Sequence, residues 1–190
     1  MELLLNIFSA FGLSASAGLN AYIPLLVVGS IAHYFPNAIT LNEPFDLLAN
    51  PWILIVLGVL VIIEMIADKV PAVNHANDII QTFIRPAAGA VAFAASANVI
   101  TDINPVLALA CGLLVAGGVH TVKAVAVRPA VTAATGGAGT TPTSIVEDIV
   151  AFTTSILAIM LPIIVGILLI VVFALLIWWW WRRTNKEQAA

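Results

Sequence analysis

The sequence predicts an all-α integral membrane protein, a bundle of five or six transmembrane helices with broken or kinked segments. Three observations predict it. Of 190 residues, 62% are hydrophobic and 9% charged, against roughly 25% charged in a soluble domain, and mean hydropathy is +1.09. Several apolar runs reach or approach the roughly 20 residues that carry a helix across the hydrocarbon. The period-2 alternation of a membrane barrel is absent. One transmembrane domain is expected over residues 1–181, followed by a basic tail at 182–190.

Composition removes other classes. A net charge of −3, with no basic stripe away from the apolar segments, argues against nucleic acid as a partner. The single Cys111 leaves no intramolecular disulfide framework. MELLLNIFSAFGLSASAGLNA carries Glu2 and no basic n-region, so it reads as a retained first membrane segment rather than a signal peptide.

In chain order, the apolar stretch at 3–35 is interrupted by GLSASAGLNAY. Ser14, Ser16 and Asn20 sit there among Gly12 and Gly18, with Pro24 just beyond. Small residues let membrane helices approach closely. Gly, Asn and Pro together also permit a broken helix whose freed backbone groups face a cavity. Both readings stand at this stage. PNAITLNEPFDLLAN is a turn-rich loop carrying only the acidic Glu43 and Asp46. Pro51 then opens a helix, since its missing N–H has no partner in a first turn anyway. That helix is expected to end at DKVP, with Glu64 and Asp68 four apart on one face. NHAND reads as a loop ending in a helix cap at Asn77 or Asp78. The next helix carries Asp78, Gln81 and Arg85 on one stripe, and Pro86 is expected to kink or restart it. A short turn, TDINP, leads on.

Residues 106–127 echo the first stretch, for Gly112, Gly118 and His120 repeat the spacing of Gly12, Gly18 and Asn20. His120 and Lys123 share a face, and Arg128–Pro129 is expected to end the run. RPA occurs at both Arg85 and Arg128, and acid-capped starts follow as NDII and EDIV. Together these suggest a weak internal repeat, a transporter signature when the halves are inverted. TAATGGAGTTPTS reads as a connecting loop whose Gly136, Gly137 and Gly139 could also form an anion-holding nest. No Gly-Lys-Ser/Thr follows it, so it is not a Walker loop. Ser144 and Glu147 have the spacing of a capping box. The stretch at 145–181, about 37 residues, would extend roughly 55 Å as one helix, so Pro162 and Gly166 mark where it kinks or turns. WWWWRR reads as an interfacial aromatic belt and basic stop, and TNKEQAA as a frayed tail. Six spans would put Lys69, Arg128 and the Arg182–Arg183 tail in the cytoplasm and Glu43 and Asp46 outside, as the positive-inside rule favours. Five spans would put the tail opposite Lys69 and Arg128.

GLNAYIPLLVVG, ADKVPAVNHANDIIQTFIRPAAGA, AGGVHTVKA, RPAV, TGGAG and VEDI together resemble a bacterial membrane-protein family, the domain of unknown function 4126 family. The resemblance runs over about residues 12–161 and leaves the tetra-Trp end outside. It implies a small multi-pass protein of the inner membrane and brings no activity with it.

Charges inside a membrane bundle are costly and mark a functional-site hypothesis by default. The acids are Glu64, Asp68, Asp78, Glu147 and Asp148. The bases are Lys69, Arg85, Lys123 and Arg128, with Asn20, Asn77, Gln81 and His120 beside them. Acids exceed bases by one. Either the set neutralises itself as structural ion pairs, or it lines a polar site whose missing charge is a proton, a cation or a protonated His120. The bases and the expected helix starts at Asn77 and Glu147 could instead hold an anionic solute or lipid phosphate. No metal-ligand spacing, cofactor motif or GxSxG context is present, so nothing asks for a metal, a cofactor or an enzyme.

The leading expectation is a transporter or channel-like protein for an ion, a proton or a small anionic solute. It expects a polar cavity near mid-membrane lined by Asn20, Asp78, Arg85 and His120. The alternatives are a non-transporting scaffold or lipid-binding protein held by ion pairs, and an intramembrane enzyme acting on polar lipid. Beyond the lipid bilayer the partners stay open, a homo-oligomer included.

Overall fold

A computed structural model describes residues 2–96 and 104–187, and these are helical with no strand among them. Helix α1 (Glu2–Leu19) breaks at Asn20 and Ala21, and α2 (Tyr22–Tyr34) follows. α2 folds back beside α1, because Val28 lines the same cavity as Leu5 and Ser9. Leu13, Ala17, Ala21, Leu25 and Val28 then share one core cluster. The expected count of five or six spans treated this first stretch as one segment; it is two helices.

A loop with a short 3-10 helix (Phe45–Ala49) leads to α3 (Pro51–Lys69). Asn50 caps α3 by accepting from the Trp52 N–H at 2.9 Å, and the helix ends before an extended Val70, as DKVP predicts. α4 (Pro71–Ser96) begins at once, so NHAND is not a loop and Asn77 and Asp78 cap nothing. Pro71 provides the start, which leaves both side chains for contacts with other helices. Pro86 neither ends nor restarts α4 and lies inside it. The carbonyl it leaves without a helical donor belongs to Thr82.

α5 (Pro105–Val122) is capped by Asn104, which accepts from the Val106 N–H at 2.9 Å; the rest of the expected turn before it lies outside the described residues. α5 continues through a π-helical turn (Lys123–Val127) into α6 (Arg128–Thr135). Arg128–Pro129 therefore does not end the run: Pro129 falls in a first turn, where it costs no hydrogen bond. The Gly/Thr-rich stretch is mostly helix as well. Residues 136–139 turn, with Gly136 and Gly137 at φ values of +61° and +92° that favour glycine, and α7 (Thr140–Met160) starts four residues before Ser144. Ser144 and Glu147 are thus interior to α7 and form no capping box. The long apolar stretch divides at Leu161 into α7 and α8 (Pro162–Glu187), with Pro162 opening the second helix. Residues 182–187 of the expected tail extend α8.

Among the described residues four helical runs are long and apolar enough to cross a membrane: Pro51–Lys69, Asn77–Ser96, Pro105–Thr135 and Thr140–Met160. Shorter apolar helices cover Leu4–Leu19, Tyr22–Tyr34 and Pro162–Val172. Ile55, Val59, Ile62 and Ile66 of α3 point outward, the arrangement of a membrane protein rather than of a soluble core.

α1 is the central helix, packing on α4, α5, α7 and α8 through Ala10, Leu13 and Ala17. Its serines act as glue between helices. The Ser14 hydroxyl donates to the Gly112 carbonyl at 2.8 Å and the Ser16 hydroxyl to the Ala151 carbonyl at 2.7 Å. α4 and α5 cross most closely at Gly89 and Gly112, where a Cβ on Gly112 would stand 2.4 Å from the Gly89 carbonyl and 2.6 Å from Phe93 Cβ. Gly112→Val is expected to destabilise the bundle by about 1–3 kcal/mol, the usual cost of overpacking. Gly58→Ala, where nothing lies within 4 Å, is expected to be stabilising by up to about 1 kcal/mol through helix propensity. Thermal unfolding in detergent separates the two.

Candidate functional site

The break in α1 is where the polar residues gather. The Asn20 carboxamide oxygen accepts from the N–H groups of Tyr22 and Ile23, both at 3.2 Å, so it caps α2. The Ala21 N–H donates to Glu64 Oε2 at 3.0 Å, while the Leu19 carbonyl accepts from Lys123 Nζ at 2.9 Å. An anion thus meets the N-terminal end of one helix and a cation the C-terminal end of the other, the sense the helix dipoles favour. In GLSASAGLN small residues pack and the helix breaks, but the freed backbone groups meet Glu64 and Lys123 rather than a cavity.

Asp68 is the hub. Its Oδ2 accepts from Arg128 at 2.9 Å, Arg85 at 3.2 Å and Lys123 at 3.5 Å, and its Oδ1 from Asn77 at 2.7 Å. Glu64, four residues earlier on the same face, receives Arg85 Nε at 3.1 Å and Nη2 at 2.9 Å. Arg128 also reaches both oxygens of Asp78 at 2.9 Å, and Lys123 reaches Glu147 at 2.8 Å. Asp148 accepts from Lys69 at 3.1 Å and from Asn20 Nδ2 at 3.0 Å. Arg85 and Glu64 have side chains 0% and 1% exposed, so this pair is out of water. The two RPA triplets, distant in sequence, aim their arginines at one carboxylate oxygen.

His120 has its role set by its neighbours. A guanidinium can only donate, so His120 Nδ1, 3.1 Å from Arg85 Nη1, accepts. The ring proton is then on Nε2 and donates to Thr82 Oγ1 at 3.2 Å, and that hydroxyl donates to the Asp78 carbonyl at 2.8 Å. In this arrangement His120 is uncharged. Five acids therefore face four cations, so with all five ionised the network is one positive charge short of neutral.

The four residues expected to line an open cavity do converge, but on one another. Asn20 is bonded to Asp148, Asp78 to Arg128, and Arg85 to Glu64, Asp68 and His120. The cavity expectation was wrong for Asn20, Asp78 and Arg85, because complementary charges on five helices fill the space. The set also sits towards one end of the bundle rather than at its middle, since α3 ends at Lys69. One cavity, of about 210 Å³, lies at the opposite end between Asn6, Ser9, Leu41 and Pro162. A second, of about 330 Å³, reaches the network at Thr82 and His120. An anion-holding role loses its basis, because Arg85, Lys123 and Arg128 each face carboxylates. Lys69 and Arg128, counted as loop charges for orientation, are ion-paired as well. Among the described residues no three His, Cys, Asp or Glu side chains stand close enough to hold a metal.

Over residues 7–182 the chain matches the family described as Domain of unknown function (DUF4126). The chain belongs to that family. The match runs past the expected 12–161 and takes in the tetra-Trp segment, so that end belongs to the DUF4126 domain too. All thirteen candidate residues fall inside it. No curated protein and no solved structure matches the chain.

Twelve of the thirteen candidates in this DUF4126 protein bond within the network. Gln81 is buried on the expected stripe, but its Oε1 has no partner among the described residues. Sequence reasoning missed Thr82, and it missed the Leu19 carbonyl and Ala21 N–H, which no side-chain pattern announces. Ser144, read as a helix cap, is instead buried in α7 with a hydroxyl that has no partner among the described residues. Ser144→Ala removes that unmet group, so it is expected to stabilise the protein by about 1 kcal/mol, measured as a rise in Tm.

Proposed function

We propose that this DUF4126 protein is a transporter-type protein of the inner membrane that handles protons, and that the arrangement described is its closed state. One observation carries the reading: five carboxylates against four cations, with His120 accepting from Arg85. An uncompensated charge out of water costs several kcal/mol, so the network has a place for one positive charge. Asp68 is already wrapped by three cations, which leaves a proton as the smallest fit. The broken helix, with an acid at one freed end and a lysine at the other, supports the same reading.

A second reading rests on the complete enclosure of Arg85: the network is a clamp holding the helices together, and nothing moves through it. The experiment that separates the two is proton flux into vesicles holding a pH-sensitive dye, driven by a membrane potential. Wild type is expected to exceed empty vesicles. Asp148→Asn, which balances the charges and keeps one oxygen for either Lys69 or Asn20, is expected to fold and lose the flux. Wild-type flux no greater than that of empty vesicles would leave the clamp.

A further inference from the structure

α4 and α5 are pressed together at Gly89 and Gly112, yet they splay one to two turns further toward the charged network. A Cβ on Gly117 would come no closer than 3.6 Å to Pro86, and one on Gly118 would meet nothing within 4 Å. The space left is a groove of about 330 Å³ lined by Thr82, Pro86, Leu114, Gly118, His120 and Thr121 among others. Two of its polar groups, Thr82 and His120, touch the network, and Pro86 leaves the Thr82 carbonyl without its helical donor.

We propose that this groove is the route by which protons reach the network, and that His120 is the first group they meet. The inference rests on the proton reading above and names its point of access. The charged groups around His120 are Arg85 and Asp78 on α4, and Lys123 and Arg128 beyond α5. A proton that adds to the Nδ1 lone pair turns that nitrogen from acceptor to donor. It thereby removes the partner of Arg85 Nη1, and the guanidinium keeps Glu64 and Asp68 alone. No bond other than the hydrogen bond breaks, and the positive charge gained offsets the network's excess negative one.

Two measurements on the full chain test this, with Cys111 as an internal reference resolved by peptide mass. Gly118→Cys is expected to react with a water-soluble cationic methanethiosulfonate about tenfold faster than Ile62→Cys on the outward face of α3, because the thiolate forms only where water reaches. Gly118→Leu, which fills the groove, is expected to slow deuterium exchange at the His120 ring C2–H several-fold while leaving Tm unchanged. Both results together sustain the route, even if vesicles show no flux; in that case the transport reading falls and the route stands. An unreactive Gly118→Cys, as an acyl chain in the groove would give, overturns it. So does unchanged His120 exchange in Gly118→Leu, whatever the flux.

Discussion

Replacing Arg85 by Met is expected to destabilise the protein by about 3–5 kcal/mol, the cost of leaving a buried charge without its partner. Glu64 would keep only the Ala21 N–H, and Asp68 would keep Lys123 and Arg128. Glu64 therefore suffers most, and Glu64→Gln combined with Arg85→Met is expected to recover at least half of the loss. Denaturant unfolding followed by circular dichroism reads both. The clamp part of the account fails if Arg85→Met unfolds like wild type, or if the double variant is no better than the single.

The second large effect separates charge from geometry. Asp68→Asn and Asp148→Asn each remove one negative charge, so by count they are equivalent. By position they are not. Asp68 is shared by Arg85, Lys123 and Arg128, and its loss sets three cations against one another with weaker anchoring. Asp148 holds one lysine, itself 28% exposed, and an amide. Asp68→Asn is expected to destabilise by about 3 kcal/mol and Asp148→Asn by about 1 kcal/mol, since its one oxygen can still accept from Asn20 while the partly exposed Lys69 turns to water. Equal stability of the two variants would show that total charge, not the hub, sets the energetics.

Much of the site was legible because helical spacing is local. Glu64 and Asp68 four apart, and Asp78, Gln81 and Arg85 on one stripe, needed only a helix to be placed on one face. The break at Asn20 was legible from a Gly-rich run with Asn and Pro. The boundaries around the charges were less so. Asn77 and Asp78 look like caps, but Pro71 had already started the helix, and Thr140 likewise started α7 ahead of Ser144. Threonines that read as a loop became helix on either side of the glycine turn, because α6 and α7 both face other elements and packing overrides weak propensity. What no local rule contains is the partner of each charge. Arg85 and Arg128 meet at Asp68 only because α4 and α6 converge on the end of α3. The expected cavity failed for the same reason: spacing shows that charges share a face, not that they neutralise each other across it. The echo of Gly12–Asn20 in Gly112–His120 has a partial counterpart, for Asn20 and His120 both bond into the network while Gly118 packs against nothing.

With all its carboxyls ionised the network would hold one uncompensated negative charge, and at neutral pH an exchangeable proton meets it. Infrared absorption of the purified protein at neutral pH, recorded in light and heavy water, tests it most directly. The account predicts a carboxylic-acid C=O band that shifts on deuteration in wild type and disappears in Asp148→Asn. Carboxylates fully ionised in wild type, with no such band, would contradict it.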